Sequence, residues 1–213
     1  MICNSILGQR SIVFKMAREG WSCGMPPRDL LRQESFEVAP KLLGMLIEKD
    51  GLGLIITEVE AYGGSDDEAS HAFRGRTHRN ASMFEDGGTL YVYLSYGIHR
   101  CINIVTGESG VGQAVLVRSG VLVTRSNEPG AAECQGEAVR GPGRVGRRIG
   151  AQLGDDGVDL LKAPSWRLLD TRPLVSLQDA LIARSTRVGI SKGREAQWRF
   201  ELDQKALPGF RSP

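Results

Sequence analysis

A carboxylate and four tyrosines stand close together between positions 60 and 96. Glu60 ends an apolar run, and Tyr62, Tyr91, Tyr93 and Tyr96 are all the tyrosines of the chain. Aromatic rings can stack on a flat heterocycle, and a carboxylate beside them can take a proton from an attacking water. The cluster therefore favours hydrolytic chemistry on a nucleobase.

Simpler interpretations of the same residues exist. An acid at the end of an apolar strand is usually solvated, and tyrosines at strand spacing usually belong to a core. His71 falls within the cluster, and we interpret it as a substrate contact. The spacing of His71, His78 and His99 fits no helical metal motif, and no thiol or carboxylate completes a ligand set. We expect no metal and, with water as the nucleophile, no cofactor.

Basic residues are concentrated in one segment. The 27 Lys and Arg residues against 25 Asp and Glu give a net charge of +2, which alone indicates no polyanionic partner. Residues 140 to 148 nevertheless contain four arginines and no acid: Arg140, Arg144, Arg147 and Arg148. The segment is a candidate phosphate contact, although a solvated basic loop explains it equally well.

Length and cysteine usage limit the class of protein. A chain of 213 residues with 41% hydrophobic content can bury the core of one domain. We interpret residues 1–34 as a poorly specified lead-in and residues 35–213 as that domain. The four cysteines form no Cys-x-x-Cys pair, which favours a reducing, cytoplasmic compartment. No secretory signal is recognised and no run approaches the roughly 18 apolar residues of a membrane span, so no membrane partner is expected.

Strands are predicted to position the candidate site. Asp50-Gly51 separates apolar runs at residues 42–48 and 54–60, which predicts a β-hairpin. Because side chains alternate along a strand, Glu58, Glu60 and Tyr62 share one face of its second strand. That face would present the candidate carboxylate.

A second group of strands carries the other rings. Residues 89–94 are rich in aromatic and β-branched side chains and predict a strand with Tyr91 and Tyr93 on one face. Residues 101–105 and 114–118 predict two more strands, joined by the loop 107–112. Short helices are expected at residues 68–73, 145–151 and 178–183. The predicted class is α+β, a single domain with a mostly antiparallel curved β-sheet core and surrounding helices.

A series of motifs in the same order resembles the alkyladenine (3-methyladenine) DNA glycosylase family. They are Thr57-Glu-Val-Glu-Ala-Tyr62, Ser70-His71-Ala, Gly88-Thr-Leu-Tyr-Val-Tyr93, Tyr96-Gly-Ile, Asn103-Ile-Val, Val115-Leu-Val-Arg118, Gly141-Pro-Gly143, Gly157-Val-Asp-Leu160 and Arg187-Val-Gly-Ile190 with Trp198-Arg-Phe200. The resemblance covers about residues 36–203. It implies a base-excision-repair enzyme that flips alkylated or deaminated purines out of duplex DNA and hydrolyses the N-glycosidic bond, leaving an abasic site.

The resemblance also implies a catalytic centre. Glu60 would deprotonate the attacking water, with Arg118 and the backbone carbonyl of Val188 completing the cradle of that water. Asn103 would narrow the pocket against the exocyclic amino group of normal guanine. These roles describe hydrolysis at C1′ of a damaged deoxynucleotide.

The tyrosines and the histidine receive separate roles by the same resemblance. Tyr62 and Tyr93 would stack on the two faces of the flipped purine, and His71 would contact its edge. Tyr96 would wedge into the gap left in the duplex. Tyr91 is the tyrosine left with a structural role.

No lysine is close to Glu60 in sequence, so a monofunctional enzyme without a Schiff-base nucleophile is expected. Its partner would be double-stranded DNA with a damaged purine, bound by a monomer that is nucleoid-associated if the source is bacterial. Two alternatives stay open: a nonenzymatic nucleic-acid-binding module and a hydrolase of free purine nucleosides. DNA binding through several phosphate contacts weakens steeply with salt, so the salt dependence of binding separates these interpretations.

Overall fold

The computed structural model describes residues 12–14, 24–125, 132–171 and 182–203. Within these ranges the strands are β1 (Ile12–Phe14), β2 (Leu46–Lys49), β3 (Leu52–Tyr62), β4 (Leu90–Ser95), β5 (His99–Thr106), β6 (Gln113–Arg125), β7 (Ala132–Arg140), β8 (Trp166–Leu169), β9 (Ile182–Ser185) and β10 (Arg199–Leu202). The α-helices are α1 (Arg28–Leu31), α2 (Ser35–Leu42) and α3 (Pro142–Arg148), and 3₁₀ helices span His78–Phe84 and Leu153–Asp155.

The described strands form one curled antiparallel sheet. Its main path runs β1-β7-β6-β3-β10-β9, while β2 joins β3 to β8 and β5 joins β4 to β6. The long neighbours β3 and β6 are central, and Glu60 pairs with Leu116 across them. Helices pack on this half-barrel, so the predicted α+β class with a curved antiparallel core is confirmed.

The predicted hairpins are present. The turn between β2 and β3 consists of Asp50 and Gly51, both with positive φ, as the two-residue hairpin turn requires. Strands β4, β5 and β6 follow one another as antiparallel neighbours, with residues 107–112 connecting the last two. These pairings place Tyr91 opposite Asn103.

The apolar run from Leu42 was wrongly predicted to be all strand. Its strand begins only at Leu46, and Leu42 ends helix α2. The buried positions of that helix, Ser35, Val38, Ala39 and Leu42, recur at helical spacing. The helical spacing of buried residues therefore continues to Leu42, the first residue of the run that was predicted as a strand.

The helix predicted at residues 68–73 is also absent, and turns take its place. The Asp67 carboxylate accepts from the backbone amides of Gly63 and Ala69, and the Ser70 hydroxyl accepts from the amide of Ala72. Such local side-chain bonds compete with the helical hydrogen-bond pattern. They hold this segment as a compact turn beside the site.

The two other predicted helices have different outcomes. The helix expected at residues 145–151 exists as α3, which begins earlier because Pro142 occupies its first turn after Gly141. Of the segment 178–183, residues 178–181 lie outside the described ranges. Ile182 and Ala183 belong to β9 instead, since they pair with β10.

The described part of the chain before residue 35 contributes to the core. Helix α1 buries Leu31 completely, and Arg28 donates to both oxygens of Asp159 at 2.8 and 2.7 Å. The division of the chain at residue 35 remains a prediction.

Candidate active site

A cavity of about 550 Å³ opens between the sheet and the segment that follows β9. The candidate substrate contacts Tyr62, His71, Tyr93 and Asn103 all line it, as does Arg118. The remaining lining includes Glu68, Arg79, Tyr91, Tyr96, Cys101, Leu116, Pro142, Val188, Gly189, Ile190 and Lys192. The fold therefore brings together residues that are up to 130 positions apart in the chain (Tyr62 to Lys192).

Glu60 is fully buried and its carboxylate has three donors. Its Oε2 accepts from the Tyr62 hydroxyl at 2.9 Å and from Arg118 Nη1 at 3.1 Å. Its Oε1 accepts from the backbone amide of Val188 at 2.7 Å. Three donors of this kind fix the orientation of the buried carboxylate. Val188 thus contacts Glu60 through its amide, while the role assigned to its carbonyl remains a prediction.

Arg118 connects Glu60 to a second buried acid. Its Nε donates to Glu58 at 3.0 Å, and Glu58 also accepts from Arg199 Nε at 2.6 Å and from the Ser119 hydroxyl. Burial alone would raise the pKa of Glu58, but the bonds from Ser119, Arg199 and Arg118 outweigh it and lower that pKa. The predicted common face of Glu58 and Glu60 is confirmed, because one guanidinium spans both.

Three aromatic side chains form one wall of the cavity. The Tyr91 and Tyr93 rings are stacked with centroids 5.5 Å apart, and the His71 ring stands edge-on to Tyr93 at 4.6 Å. The Tyr91 hydroxyl and His71 Nδ1 share a hydrogen bond of 2.9 Å. Tyr91 is 2% exposed, in keeping with a structural role that includes orienting His71. The predicted common face of Tyr91 and Tyr93 is confirmed.

The phenols of Tyr62, Tyr91 and Tyr93 are neutral at pH 7. Burial is the main cause that raises the pKa of Tyr62, Tyr91 and Tyr93 above its ordinary value. The negative charge of Glu60 raises the pKa of Tyr62 further. The Tyr62 hydroxyl therefore stays a hydrogen-bond donor to the carboxylate.

Asn103 stands on β5 and lines the cavity. It is 4% exposed, and its side-chain nitrogen donates to the Tyr91 carbonyl at 3.1 Å. This bond fixes the amide against the strand that carries the stacked rings. The cavity is consequently bounded by a rigid polar group at that point.

His71 has an unusual electrostatic environment. It lines the cavity, where part of its ring is exposed, but its Nδ1 edge packs against Tyr91 and Tyr93. Desolvation by burial, followed by the positive charge of Arg79, lowers the pKa of His71. The ring is therefore neutral at pH 7.

This shift predicts a pH-dependent stability. As the pH falls through about 6.5, His71 in the unfolded chain gains a proton that the folded protein binds only at lower pH. The free energy of unfolding should therefore fall on acidification, modestly because the ring is partly solvated. Urea unfolding of wild type and His71→Asn at about pH 7.5 and about pH 5.5 measures the effect. The variant should show the smaller decrease, and His78→Asn, at an exposed position, serves as the control.

The hairpin between β4 and β5 ends in exposed apolar side chains. Tyr96 is 90% exposed and Ile98 is 69% exposed. Tyr96 has a φ of +49°, a conformation that bulky residues rarely adopt. Tyr96 and Gly97 both have positive φ, as a tight hairpin turn requires, so the turn projects the Tyr96 ring into solvent as a candidate contact.

The basic segment lies beside that hairpin. Helix α3 docks closely on β5, since a Cβ on Gly146 would lie 2.0 Å from the Arg100 carbonyl oxygen. Arg140, Arg144, Arg147 and Arg148 are exposed on this side of the molecule. Arg148 pairs with Glu137 at 2.5 Å. The four predicted phosphate contacts thus line one surface depression, and Pro142 at the start of α3 lines the cavity.

Sequence reasoning missed part of the site. Lys192 lines the cavity mouth and pairs with Glu68 at 3.4 Å, although it is far from Glu60 in sequence. Arg187 belongs to a family motif without a predicted role of its own, yet it forms a buried ion pair with Asp67. No local pattern marks either pair, because each joins segments about 120 residues apart.

Two further observations concern the described ranges only. They contain no group of three His, Cys, Asp or Glu side chains placed to hold a metal ion, and the expected absence of a metal remains a prediction. In the same ranges no helix has both the length and the apolar character needed to cross a membrane.

The fold and the cavity together define a class of site. The Glu60 carboxylate is bonded to Tyr62, Arg118 and Val188, which line the cavity, although Glu60 itself is not among the lining residues. An exposed ring and a basic surface lie beside the same cavity. This arrangement suits hydrolysis at a flat base presented by a nucleic acid.

Comparison with known proteins identifies the family. The family model for methylpurine-DNA glycosylase matches residues 29–206. A "Putative 3-methyladenine DNA glycosylase" of Corynebacterium glutamicum (strain R) is 44% identical over 183 residues, covering 83% of each chain. A protein with the same name from Nocardia farcinica is 43% identical and covers 77% of this chain and 81% of its own. The chain belongs to the methylpurine-DNA glycosylase family, the DNA-repair glycosylases of alkylated purines.

Proposed function

We propose that this protein flips an alkylated or deaminated purine out of duplex DNA and hydrolyses its N-glycosidic bond with water activated by Glu60. The product is an abasic site. The observation that carries the proposal is the Glu60 carboxylate, which is fully buried and held by three donors next to a cavity lined with aromatic rings.

The chemistry of the bond explains why a carboxylate is needed. As the purine leaves with the bonding electrons, positive charge builds on the deoxyribose, and a nearby carboxylate stabilises it. Glu60 also takes the proton of the attacking water, with the Val188 carbonyl as a second acceptor for that water. Arg118 donates to the carboxylate and orients it. Alkylation at N3 or N7 makes the purine cationic and therefore a better leaving group.

The cavity walls provide recognition of the damaged base. Tyr62 and Tyr93 stack on its two faces, and each stack contributes roughly 1–3 kcal/mol. A cationic purine gains further attraction from electron-rich rings. His71 contacts the edge of the base, and the fixed Asn103 amide excludes the exocyclic amino group of normal guanine.

The exposed surface near the cavity binds the duplex. Tyr96 enters the gap left by the flipped nucleotide, and its extreme exposure at the hairpin tip supports this role. Arg140, Arg144, Arg147 and Arg148 contact phosphates. A damaged purine pairs weakly, so the cost of flipping it is lower than for an intact base.

The enzyme acts without a covalent intermediate, as a monomer and with no cofactor. A Schiff base needs a lysine amine as nucleophile, whereas the amine of Lys192, which lines the cavity, is paired with Glu68. Water remains as the nucleophile. The products are consequently a free base and an unbroken strand, and the reaction takes place where the DNA is, in the cytoplasm.

Base release from DNA tests this function. Purified protein is incubated with a duplex that carries one hypoxanthine, and strand breaks are counted with and without hot alkali. We expect breaks at the lesion only after alkali, and no protein–DNA adduct after borohydride. A duplex that is bound but stays intact after alkali would contradict the proposal, as would hydrolysis of free inosine alone.

A further inference from the structure

Arg187 is a buried cation that joins three segments around the site. It is 5% exposed, and its Nη1 and Nη2 donate to the two oxygens of Asp67 at 2.5 and 2.8 Å. Nη1 also donates to the Ala61 carbonyl at 3.0 Å, and Nη2 to the Gly193 carbonyl at 3.2 Å. One guanidinium thus ties strand β3, the turn at Asp67 and the segment at the cavity mouth together.

Two rings enclose this guanidinium. Its carbon lies 4.8 Å from the centroid of the Tyr62 ring and 5.1 Å from that of Trp198. Tyr62 donates to Glu60 through its hydroxyl, and Val188, the next residue after Arg187, donates through its amide. Arg187 therefore holds two of the three donors to Glu60. It holds Tyr62 through the ring contact and Val188 through the peptide bond that joins the two residues.

Stability alone does not account for this arrangement. Burying two charges is costly, and apolar side chains of similar volume often stabilise a protein as well or better. A buried pair beside two of the three donors of the proposed catalytic carboxylate has another use, which is to fix the positions of those two donors. In addition, Asp67 neutralises a positive charge that lies directly behind the Tyr62 ring.

We infer that Arg187 and Asp67 are positioning residues for base excision, which hold Tyr62 and Val188 on Glu60 and keep the region behind the Tyr62 stacking face electrically neutral. This inference rests on the function proposed above. Neither residue touches the purine; both act through Tyr62 and the segment at Val188.

The charge of the purine provides a readout that a purely structural role would not affect. A purine methylated at N7 is cationic, whereas hypoxanthine is neutral. In Asp67→Asn the guanidinium stays charged, because arginine keeps its proton in proteins. The unneutralised cation behind the ring then repels 7-methylguanine but not hypoxanthine. Arg187→Lys keeps the charge but loses the planar fork and should affect both bases alike.

Single-turnover excision of 7-methylguanine and hypoxanthine by wild type and the two variants tests the inference. A displacement near 1 Å can cost about 100-fold in rate, so we expect both variants to slow excision of both bases by about tenfold or more. Asp67→Asn should further lower the ratio of 7-methylguanine to hypoxanthine rates by roughly threefold or more. Arg184→Lys is the matched control, since Arg184 lies over the Phe200 ring outside the cavity lining.

Several results would overturn the inference, and one of them would overturn the proposed function as well. Wild-type rates in both variants, or an Asp67→Asn variant that slows both bases equally, would overturn the inference while the proposed function stands. If Asp67→Asn does not fold, a folded Arg187→Lys with wild-type rates overturns it. Wild type that releases neither base would overturn the proposed function and this inference together.

Discussion

Replacement of Glu60 by glutamine is expected to slow base release by about 100- to 10,000-fold, the usual contribution of a general base. Glutamine has nearly the same size and keeps the packing of the buried site. Its amide cannot take a proton from water, and its NH₂ group meets one of the donors that now bind the carboxylate. Single-turnover excision of hypoxanthine, with protein in excess over DNA, measures the change.

A second buried glutamate provides the control for this variant. Glu48 on β2 is 5% exposed and pairs with Arg167 at 2.5 Å, but it does not line the cavity. Glu48→Gln should lower stability and leave the rate per folded molecule unchanged. Loss of activity in both variants would instead indicate a general effect of removing a buried charge.

Replacement of Tyr96 by alanine is expected to weaken binding to abasic-site DNA by about 5- to 150-fold. That range corresponds to the loss of one aromatic stack of roughly 1–3 kcal/mol. Because the ring is 90% exposed, its removal should leave the free energy of unfolding nearly unchanged. Fluorescence anisotropy with a labelled duplex gives the affinity.

An exposed leucine offers a comparison for the Tyr96 variant. Leu153 is 51% exposed in the second 3₁₀ helix and does not line the cavity. Leu153→Ala should bind abasic-site DNA as tightly as wild type. If Tyr96→Ala also retains full affinity, the wedge role is wrong.

Much of the fold follows from patterns that are visible in the sequence. Alternation and turn residues predict the hairpin around Asp50-Gly51 and the strand of Tyr91 and Tyr93, because these features depend on neighbouring residues. The predicted secondary structure was wrong where two local signals favour different structures. Helical spacing in residues 35–42 precedes a strand run, and the Asp67 and Ser70 side chains hold residues 68–73 as turns.

The active site is predictable from sequence only in part. Glu60 and the nearby tyrosines are predicted as a site because they are close together in the chain. The donors that hold the carboxylate come from Arg118 and Val188, which are 58 and 128 residues away. Only the family resemblance indicated these two partners, and it assigned the carbonyl of Val188 where the structure has its amide bonded to Glu60. The role of Arg187 required the folded structure, since its ring and carboxylate contacts are set by tertiary packing.

The most direct test of hydrolysis by a Glu60-activated water measures binding and cleavage in the same sample. Glu60→Gln in excess is mixed with a duplex that carries one hypoxanthine, and portions are analysed by gel shift and by hot alkali. Because the variant keeps Tyr96 and the basic surface, it should bind the duplex fully and leave it resistant to alkali while wild type makes it sensitive. A bound duplex that becomes alkali-sensitive at the wild-type rate would contradict the catalytic role of Glu60.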